Sequence, residues 1–268
     1  MTSIDLATIL GQQPLGLIFD IDGTLASMTP TPDGAQLWPG VAEDLRRLRQ
    51  YGHVAILTGR LVEDGARIVN VEGLTYIGTH GLEWCDDLPT QRSVQLLPEA
   101  QPYAEPGKQL FDLLEQQLSS LPGVILQRKR VGGTVHYRQA PSLEETRKQL
   151  LALLEVPAQR LKMRLSEGRG LIEILTPLTV NKGEALRRYV QRFGLQGVIF
   201  AGDDLTDLDA VLELRRLRHE GLATMSIIVR HAGTLPAMLE HGDYVVDDVA
   251  GMAELLHSIV DRLEQPRE

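Results

Sequence analysis

Cysteine is nearly absent from this sequence. Cys85 is the single cysteine among 268 residues, so one chain can form neither an internal disulfide nor a cysteine-rich metal site. Aromatic residues are scarce at 4%, while hydrophobic residues make up 43% and charged residues 24% of the chain. These proportions are ordinary for a globular protein, and a chain of this length can bury a sizeable core without disulfides.

Long apolar segments are also missing. No stretch approaches the ~18–20 consecutive apolar residues that a membrane-spanning helix needs. Residues 1–16 contain neither Lys nor Arg and no long apolar run, whereas a signal peptide requires a basic start followed by such a run. We therefore expect a cytoplasmic protein with no membrane partner.

Positive charge is in the minority. The chain carries 27 Lys and Arg against 36 Asp and Glu, which gives a formal net charge of −9. This excess of acid argues against nucleic acid as a partner. A metal ion or a few cations in one cleft can nevertheless bind a phosphorylated small molecule. We expect a small-molecule partner and a monomer or weak oligomer.

Short apolar runs alternate with amphipathic helical segments at both ends of the chain. The runs cover residues 15–20, 54–57, 74–77 and 197–201, and the helical segments cover residues 41–51, 61–69 and 182–194. This alternation predicts βαβ units, and hence an α/β fold with a doubly wound, Rossmann-like parallel sheet.

The pattern changes in the middle of the chain. Between residues 82 and 172, a helical segment and two strands joined around Gly132-Gly133 are followed by a second helix and two more strands. Ser142 and Glu145 form the capping-box signature at the start of that second helix. We therefore expect an α+β cap module at 82–172, inserted into a core made of residues 1–81 and 173–268.

Reactive side chains follow three of the predicted core strands. They are Asp20 and Asp22 after the first, Thr58 after the second, and Asp203 and Asp204 after the strand that follows the Lys182 helix. Ligand sites form at the carboxyl ends of parallel strands, so these side chains should converge. Clustered carboxylates repel one another unless a divalent cation lies among them, and oxygen ligands in an incomplete shell suit Mg²⁺. A carboxylate there can attack phosphorus, with Lys182 stabilising the phosphoryl oxygens and Thr58 orienting one of them.

Each of these residues also has an ordinary structural interpretation. An Asp after a strand commonly forms a turn or caps a helix, and Asp207 could cap the helix at 206–218. Lys182 could be a solvated helix residue, and Thr58 before a Gly could simply form a turn. The occurrence of all these groups in order, each on the right kind of element, is what favours catalysis.

Residues 19–25, Phe-Asp-Ile-Asp-Gly-Thr-Leu, resemble the first motif of the haloacid dehalogenase superfamily. Thr58, Lys182 and Gly202-Asp203-Asp204 resemble its second, third and fourth motifs. The resemblance implies that Asp20 is the nucleophile and Asp22 the general acid and base. It also implies Mg²⁺ bound by Asp20, the backbone carbonyl of Asp22 and Asp203. We expect Asp204 and Asp207 either to bind the metal through a water molecule or to contact Lys182.

A narrower resemblance, to the trehalose-6-phosphate phosphatases, extends over residues 15–262. Its segments are 57–60, 78–83, 135–138 and 202–207. Ile21, Thr58, Leu208 and Val211 depart from that family's usual residues, which bears on the sugar rather than on the hydrolytic chemistry. The resemblance implies trehalose 6-phosphate as the leading substrate. We expect substrate contacts from Gly59, Arg60 and His80 in the core.

The predicted cap strands supply candidate sugar contacts. Alternation along residues 134–138 puts Val135 and Tyr137 on one face and His136 on the other. Lys129 lies on the predicted partner strand and Glu167 at the end of the next one, so a donor and an acceptor for vicinal hydroxyls are available. The resemblance also places sugar contacts near Lys129, His136 and Glu167. The ordinary alternative is that all three are solvated strand residues.

Other functions remain open at this point. Phosphatases of mannosyl- or glucosyl-3-phosphoglycerate or of sucrose 6-phosphate, and a phosphomutase with the same aspartate, would use the same core residues. A phospho-receiver signalling module also combines clustered acids, a Thr and a Lys on an α/β sheet. It is about half as long, however, and lacks both the inserted module and the Asp-x-Asp-Gly-Thr sequence that begins at Asp20.

Overall fold

The chain folds into two units, each built around its own β-sheet. We describe a computed structural model over residues 5–29, 34–90, 93–118, 120–168 and 170–265. The larger unit combines Met1–Gln95 with Val180–Glu268, and the smaller unit is Leu96–Thr179. The insertion of one α+β segment into an α/β fold is as the sequence predicted.

The described residues form twelve strands in two sheets. The strands are β1 (Leu15–Phe19), β2 (His53–Leu57), β3 (Thr75–Gly78), β4 (Glu83–Asp86), β5 (Gln95–Leu96), β6 (Ile125–Arg128), β7 (Gly133–His136), β8 (Arg164–Gly168), β9 (Leu171–Leu175), β10 (Gly197–Gly202), β11 (Ala223–Arg230) and β12 (Tyr244–Asp247). The larger sheet has the order β12-β11-β10-β1-β2-β3-β4-β5, and the smaller has the order β6-β7-β9-β8.

Nine α-helices complete the described fold. They are α1 (Leu6–Leu10), α2 (Val41–Leu48), α3 (Val62–Val69), α4 (Ala104–Leu118), α5 (Leu143–Arg160), α6 (Lys182–Phe193), α7 (Leu205–His219), α8 (Pro236–His241) and α9 (Asp248–Glu264). In the larger unit, α1, α2, α3 and α9 share one apolar core with one face of the sheet. Helices α6, α7 and α8 share a second core with the other face. This is the predicted doubly wound arrangement.

Local sequence explains why the central elements form where they do. All five residues of β1 are buried, as expected of a parallel strand covered by helices on both faces. Helix α6 begins after Asn181, whose side chain accepts the backbone N–H of Glu184 at 2.9 Å. It ends at Gly194, which takes the left-handed conformation that terminates many helices. These two signals place Lys182 in the first turn of α6.

The smaller unit is a four-stranded antiparallel sheet with two helices on one face. Helix, strand and strand follow one another twice, as predicted. Apolar residues of α4 and α5, such as Phe111 and Leu150, pack against Val135 and Ile172 of the sheet. The other face of this sheet carries no helix of the described part of the unit, and we call it the open face.

The division between the units differs from the expected 82–172 at both ends. Strand β4 pairs antiparallel with β3, with Trp84 opposite Ile77, so residues 83–86 extend the larger sheet. The connection is a tight turn over Thr79–Gly81, in which Thr79 and His80 both adopt positive φ. At the other end, β9 continues to Leu175 before the chain returns to the larger unit. The boundary was misplaced because β4 was assigned to the insertion.

Membrane-spanning structure was not expected. Across the described ranges, every helix is too short or too polar to cross a bilayer.

Burial in the smaller unit generates a stability prediction. Leu150 is fully buried against α4 and the sheet, whereas Leu143 on the same helix is 51% exposed. Leu150→Ala should lower the free energy of unfolding by about 2–5 kcal/mol because it leaves a cavity. Leu143→Ala is the matched control and should change that free energy by only about 0.5 kcal/mol. Urea titration followed by circular dichroism measures both, and equal losses would contradict this packing.

Candidate active site

The predicted acids meet at the carboxyl ends of neighbouring strands in the larger sheet. Strand β1 lies between β10 and β2, and the backbone N–H of Asp20 donates to Ala201 of β10 at 3.0 Å. Thr58 directly follows β2, and its N–H donates to Ile77 of β3 at 2.9 Å. Asp203 directly follows β10. The sheet order therefore brings Asp20, Thr58 and Asp203 to one edge, as expected from the sequence.

Lys182 is the cation at the centre of this edge. Its Nζ donates to Asp20 Oδ1 at 2.8 Å and to Asp207 Oδ1 at 2.6 Å. The three side chains are only 2%, 6% and 0% exposed, so solvent screens these contacts weakly. The solvated alternative for Lys182 is therefore excluded.

Asp207 links Lys182 to the chain segment that carries Asp203. Asp207 Oδ2 accepts the backbone N–H groups of Asp203 and Asp204 at 3.0 and 3.2 Å. Asp204 in turn accepts from the N–H of Thr206 at 2.8 Å and of Asp207 at 3.2 Å, which completes a capping box at the start of α7. Asp207 therefore bonds Lys182 directly, and the Asp204 carboxylate serves as a helix cap.

Three acids of this site, Asp20, Asp203 and Asp207, have raised pKa values. Burial raises the pKa of Asp20 well above its ordinary value, and the charges of Asp207 and Asp203 reinforce this effect against the opposing Lys182. Burial followed by the charge of Asp207 raises the pKa of Asp203 to about 8. Burial also raises the pKa of Asp207 to about 6, despite Lys182. Burial thus outweighs the stabilisation that Lys182 gives to the ionised forms of these acids.

A divalent cation would supply the missing positive charge. Carboxylate oxygens of Asp20, Asp203 and Asp207 all lie within 4.8 Å of one another. All the possible metal ligands are hard oxygen atoms. Both oxygens of Asp207 already accept hydrogen bonds, one from Lys182 and the other from backbone N–H groups. Few ligands from the protein and only oxygen donors suit Mg²⁺ better than a softer metal. The residues present therefore fit the predicted ion.

Gly23 is required for the close approach of two segments of the site. Its φ is +81°, and a Cβ there would overlap the carboxylate of Asp203. Thr24, the next residue, donates from Oγ1 to Asp203 Oδ1 at 3.4 Å. The turn after β1 thus packs directly on the acid that follows β10.

Arg60 holds the predicted general acid. Its Nε and Nη2 donate to the two carboxylate oxygens of Asp22, each at 2.6 Å. The backbone N–H of Arg60 donates to Thr58 Oγ1 at 3.2 Å. This fork fixes both the position and the rotation of the Asp22 carboxylate. Arg60, expected as a substrate contact, therefore contacts Asp22.

The remaining core candidates, Gly59 and His80, pack against each other. A Cβ on Gly59 would lie 2.6 Å from the imidazole of His80, so a larger residue there would displace this ring. His80 is fixed by its own N–H, which donates to the carbonyl of Thr58 at 3.0 Å. Gly59 and His80 thus lie beside Thr58, as their sequence positions suggested.

The open face of the smaller sheet brings together Lys129 and His136 but not Glu167. His136 Nε2 lies 3.1 Å from Gln127 Oε1. Lys129 Nζ lies 3.9 Å from Glu173 Oε1. Because Glu173 pairs with Thr134, two residues before His136, strand alternation puts Glu173 and His136 on the same face.

Glu167 points to the opposite, helix-covered face. It pairs with Ile172, which is buried among the apolar residues of that face. Its carboxylate accepts from Arg147 of α5 at 2.5 and 3.1 Å. The expectation that Glu167 shares a surface with Lys129 and His136 is therefore not met. Glu173 is the acid that does so, and its position between the apolar Ile172 and Ile174 was the signal that could have identified it.

His231 is a further residue of the site that sequence reasoning missed. It directly follows β11, and its Nε2 lies 2.6 Å from the carbonyl oxygen of Gly23. Its position after a parallel strand was the available signal, as for Asp20 and Asp203.

Known proteins resemble this chain along most of its length. Relatives include a trehalose-phosphate phosphatase of Mycobacterium leprae, 32% identical over 83% of this chain and 52% of the relative. The trehalose-phosphate phosphatase of Mycobacterium bovis is 30% identical over 96% of this chain and 64% of the relative. The chain thus spans about half to two-thirds of the length of these relatives. A solved trehalose-6-phosphate phosphatase related protein shares the fold, with a TM-score of 0.75 and 22% identity over 92% of this chain and 97% of its own.

The sequence profile of one family also covers the site described above. The profile of the trehalose-phosphatases matches residues 18–236, a range that includes the acids after β1 and β10, Lys182, the smaller unit and His231. The resemblance predicted from the motifs is thereby confirmed: this chain belongs to the trehalose-phosphatase family.

Proposed function

We propose that this chain hydrolyses trehalose 6-phosphate to trehalose and inorganic phosphate through a phosphorylated Asp20. The observation that carries the proposal is the buried contact of Lys182 with Asp20 and Asp207, beside a second acid, Asp22, that Arg60 holds in place. Membership of the trehalose-phosphatase family supports the same reaction.

The first half-reaction forms the acyl phosphate. Lys182 hydrogen-bonds Asp20 Oδ1, so Oδ2 is the oxygen that attacks phosphorus. As that bond forms, the bond from phosphorus to the sugar oxygen breaks, and Asp22 donates a proton to the departing oxygen. Lys182 and the Thr58 hydroxyl stabilise charge on the phosphoryl oxygens.

The second half-reaction returns Asp20 to its free form. Asp22, now ionised, accepts a proton from water as the water oxygen attacks phosphorus. The bond between phosphorus and Asp20 breaks, inorganic phosphate leaves, and both carboxylates regain their starting states. Both oxygens of Asp22 accept from Arg60 in this structure, so Asp22 must exchange one of these bonds for a proton before it acts as the acid. The bond that remains keeps the carboxyl group in place during both proton transfers.

The metal that we propose is Mg²⁺, held by the carboxylates of Asp20 and Asp203 and by the backbone carbonyl of Asp22. When bound, such an ion offsets the charge of the acids and of the phosphoryl oxygens. Burial, and then the charges of neighbouring acids, raises the pKa of Asp20 and Asp203, and a cation beside them would favour their ionised forms, which supports these two carboxylates as ligands.

The smaller unit, residues 96–179, is proposed to bind the sugar. Disaccharide hydroxyls need several fixed polar partners, and the open face offers Lys129 as a donor, Glu173 as an acceptor and His136 beside Gln127. Burial, and then the charges of Arg138 and Lys129, lower the pKa of His136, which favours the neutral ring. A neutral imidazole can either donate to or accept from a hydroxyl.

The nucleophile can be tested by substitution. Asp20→Asn should reduce phosphate release from trehalose 6-phosphate to background, because an amide is a poor nucleophile. Asp22→Asn should lower the rate by roughly 10²–10⁴-fold, the usual contribution of a general acid and base. Asp209→Asn, an exposed acid on α7, is the control and should retain the parent rate. Undiminished turnover by Asp20→Asn would end this mechanism.

The metal site predicts a particular pH dependence of stability. In metal-free protein the folded pKa of Asp203 is raised to about 8, from an ordinary value of 3.8. The folded state therefore binds the proton more tightly, so the associated stability is present below about pH 4 and is lost as the pH rises towards 8. Magnesium should remove this loss by binding the ionised carboxylates.

The measurement is the melting temperature in EDTA and in Mg²⁺ between about pH 5 and 8. Asp203→Asn should make the curve in EDTA less steep, because only Asp20 and Asp207 then titrate with raised pKa values, and it should abolish the gain from Mg²⁺. Asp209→Asn is again the control. Identical curves with and without Mg²⁺ would count against a metal at this site.

The open face generates a prediction with a built-in control. Glu173→Ala should lower the ratio of kcat/KM for trehalose 6-phosphate over glucose 6-phosphate by roughly 10-fold or more, because a hydrogen bond to a charged group contributes about 1.5–3 kcal/mol. Lys129→Ala should act in the same direction. Glu167→Ala removes the same side chain from the opposite face and should leave the ratio unchanged. A larger effect of Glu167→Ala than of Glu173→Ala would reverse the assignment of the sugar-binding face.

A further inference from the structure

His231 is the residue through which β11 contacts the acidic site. Its Nε2 lies 2.6 Å from the carbonyl oxygen of Gly23, which is 208 positions away in the chain. A carbonyl oxygen can only accept a hydrogen bond, so Nε2 carries a hydrogen and donates it. With that hydrogen in place, Nε2 has no lone pair for a metal. The nitrogen of His231 that faces the site is therefore a hydrogen-bond donor and not a metal ligand.

The backbone of His231 is itself fixed by a short turn after β11. The N–H of His231 donates to Thr234 Oγ1 at 2.7 Å, and the N–H of Thr234 donates back to the carbonyl of His231 at 3.1 Å. The side chain is 26% exposed, so most of the ring is packed against protein. Because both the backbone and the ring are held, the imidazole is a rigid support rather than a surface group.

The contact of His231 falls where two parts of the site meet. Gly23 lies between Asp22 and Thr24 in the turn after β1, and its own N–H donates to the carbonyl of Ala26 at 2.8 Å. The same Nε2 of His231 lies 3.9 Å from Asp203 Oδ2. One ring thus touches the turn that carries Asp22 and lies beside the acid that follows β10.

We propose that His231 is a positioning residue for the divalent cation. By bonding the Gly23 carbonyl, it fixes the peptide next to the Asp22 carbonyl and keeps that turn against Asp203. The inference rests on the proposed metal-dependent function, because it concerns the ligands of that metal. Partners that orient metal ligands typically change metal affinity by about 10–100-fold when they are removed.

The test is the dissociation constant for Mn²⁺, used as a spectroscopic substitute for Mg²⁺ and measured by electron paramagnetic resonance on metal-free protein. His231→Ala should raise this constant by roughly 10–100-fold. His231→Gln places an amide N–H at a similar reach and should recover most of the affinity, whereas His231→Asn, which is shorter, should not. His257→Ala is the control, because His257 hydrogen-bonds Asp44 of α2 and contacts none of the acids at the site.

The outcomes distinguish the role of His231 from the metal-dependent function on which it rests. Parent-like affinity in His231→Ala would overturn the role of His231 and leave the metal site intact. If His231→Ala does not fold, the comparison of Gln with Asn decides, and equal affinities in those two variants would also overturn it. An absence of Mn²⁺ and Mg²⁺ binding by the parent protein would contradict the metal-dependent function itself, and the role of His231 with it.

Discussion

The ammonium group of Lys182 between the carboxylates of Asp20 and Asp207 sets the conditions for the rest of the larger unit. All three side chains are buried, and removing one partner of such a group typically costs about 3–5 kcal/mol because a buried charge is left uncompensated. The end of β1 and the first turns of α6 and α7 must therefore keep a fixed mutual position. Burial, and then the charge of Asp207, raises the pKa of Asp203 to about 8, so a divalent cation would favour its ionised form.

The topology of the sheet explains how these charges meet although they are far apart in sequence. Strand β1 is central, with β2 on one side and β10 and β11 on the other. Each of these strands is followed directly by a residue of the site, and His231 after β11 contacts the turn after β1. Gly23 permits that turn to approach Asp203. Asp207 takes part in the capping box of α7 through Oδ2 and accepts from Lys182 through Oδ1. Helix formation and the placement of Lys182 are therefore linked through one carboxylate.

The core site could be predicted from the sequence because its residues follow short buried strands, and such strands have a recognisable pattern. The smaller unit was harder, since the face on which a strand residue lies depends on register with its partner. Glu167 lies between Ser166 and Gly168, which do not reveal its face, and its pairing with Ile172 puts it opposite to Glu173, which pairs with Thr134. The sequence prediction assigned β4 to the wrong unit. The turn at Thr79–Gly81 depends on positive φ values, which no pattern of apolar residues reveals. His231 has no periodic signal, and its contact with Gly23 emerges only from the folded sheet.

The central claim is that the phosphoryl group is transferred to Asp20 before it is released. The most direct measurement is the identification of this phosphorylated aspartate. Turnover of trehalose 6-phosphate in the presence of Mg²⁺ would be quenched rapidly in acid, which preserves acyl phosphates, and the digested protein would be analysed by mass spectrometry. The account predicts a phosphorylated peptide that contains residues 19–25, with the phosphate on Asp20 and none in the Asp20→Asn protein. Phosphate on any other residue, or steady turnover with no phosphorylated peptide at any quench time, would contradict it.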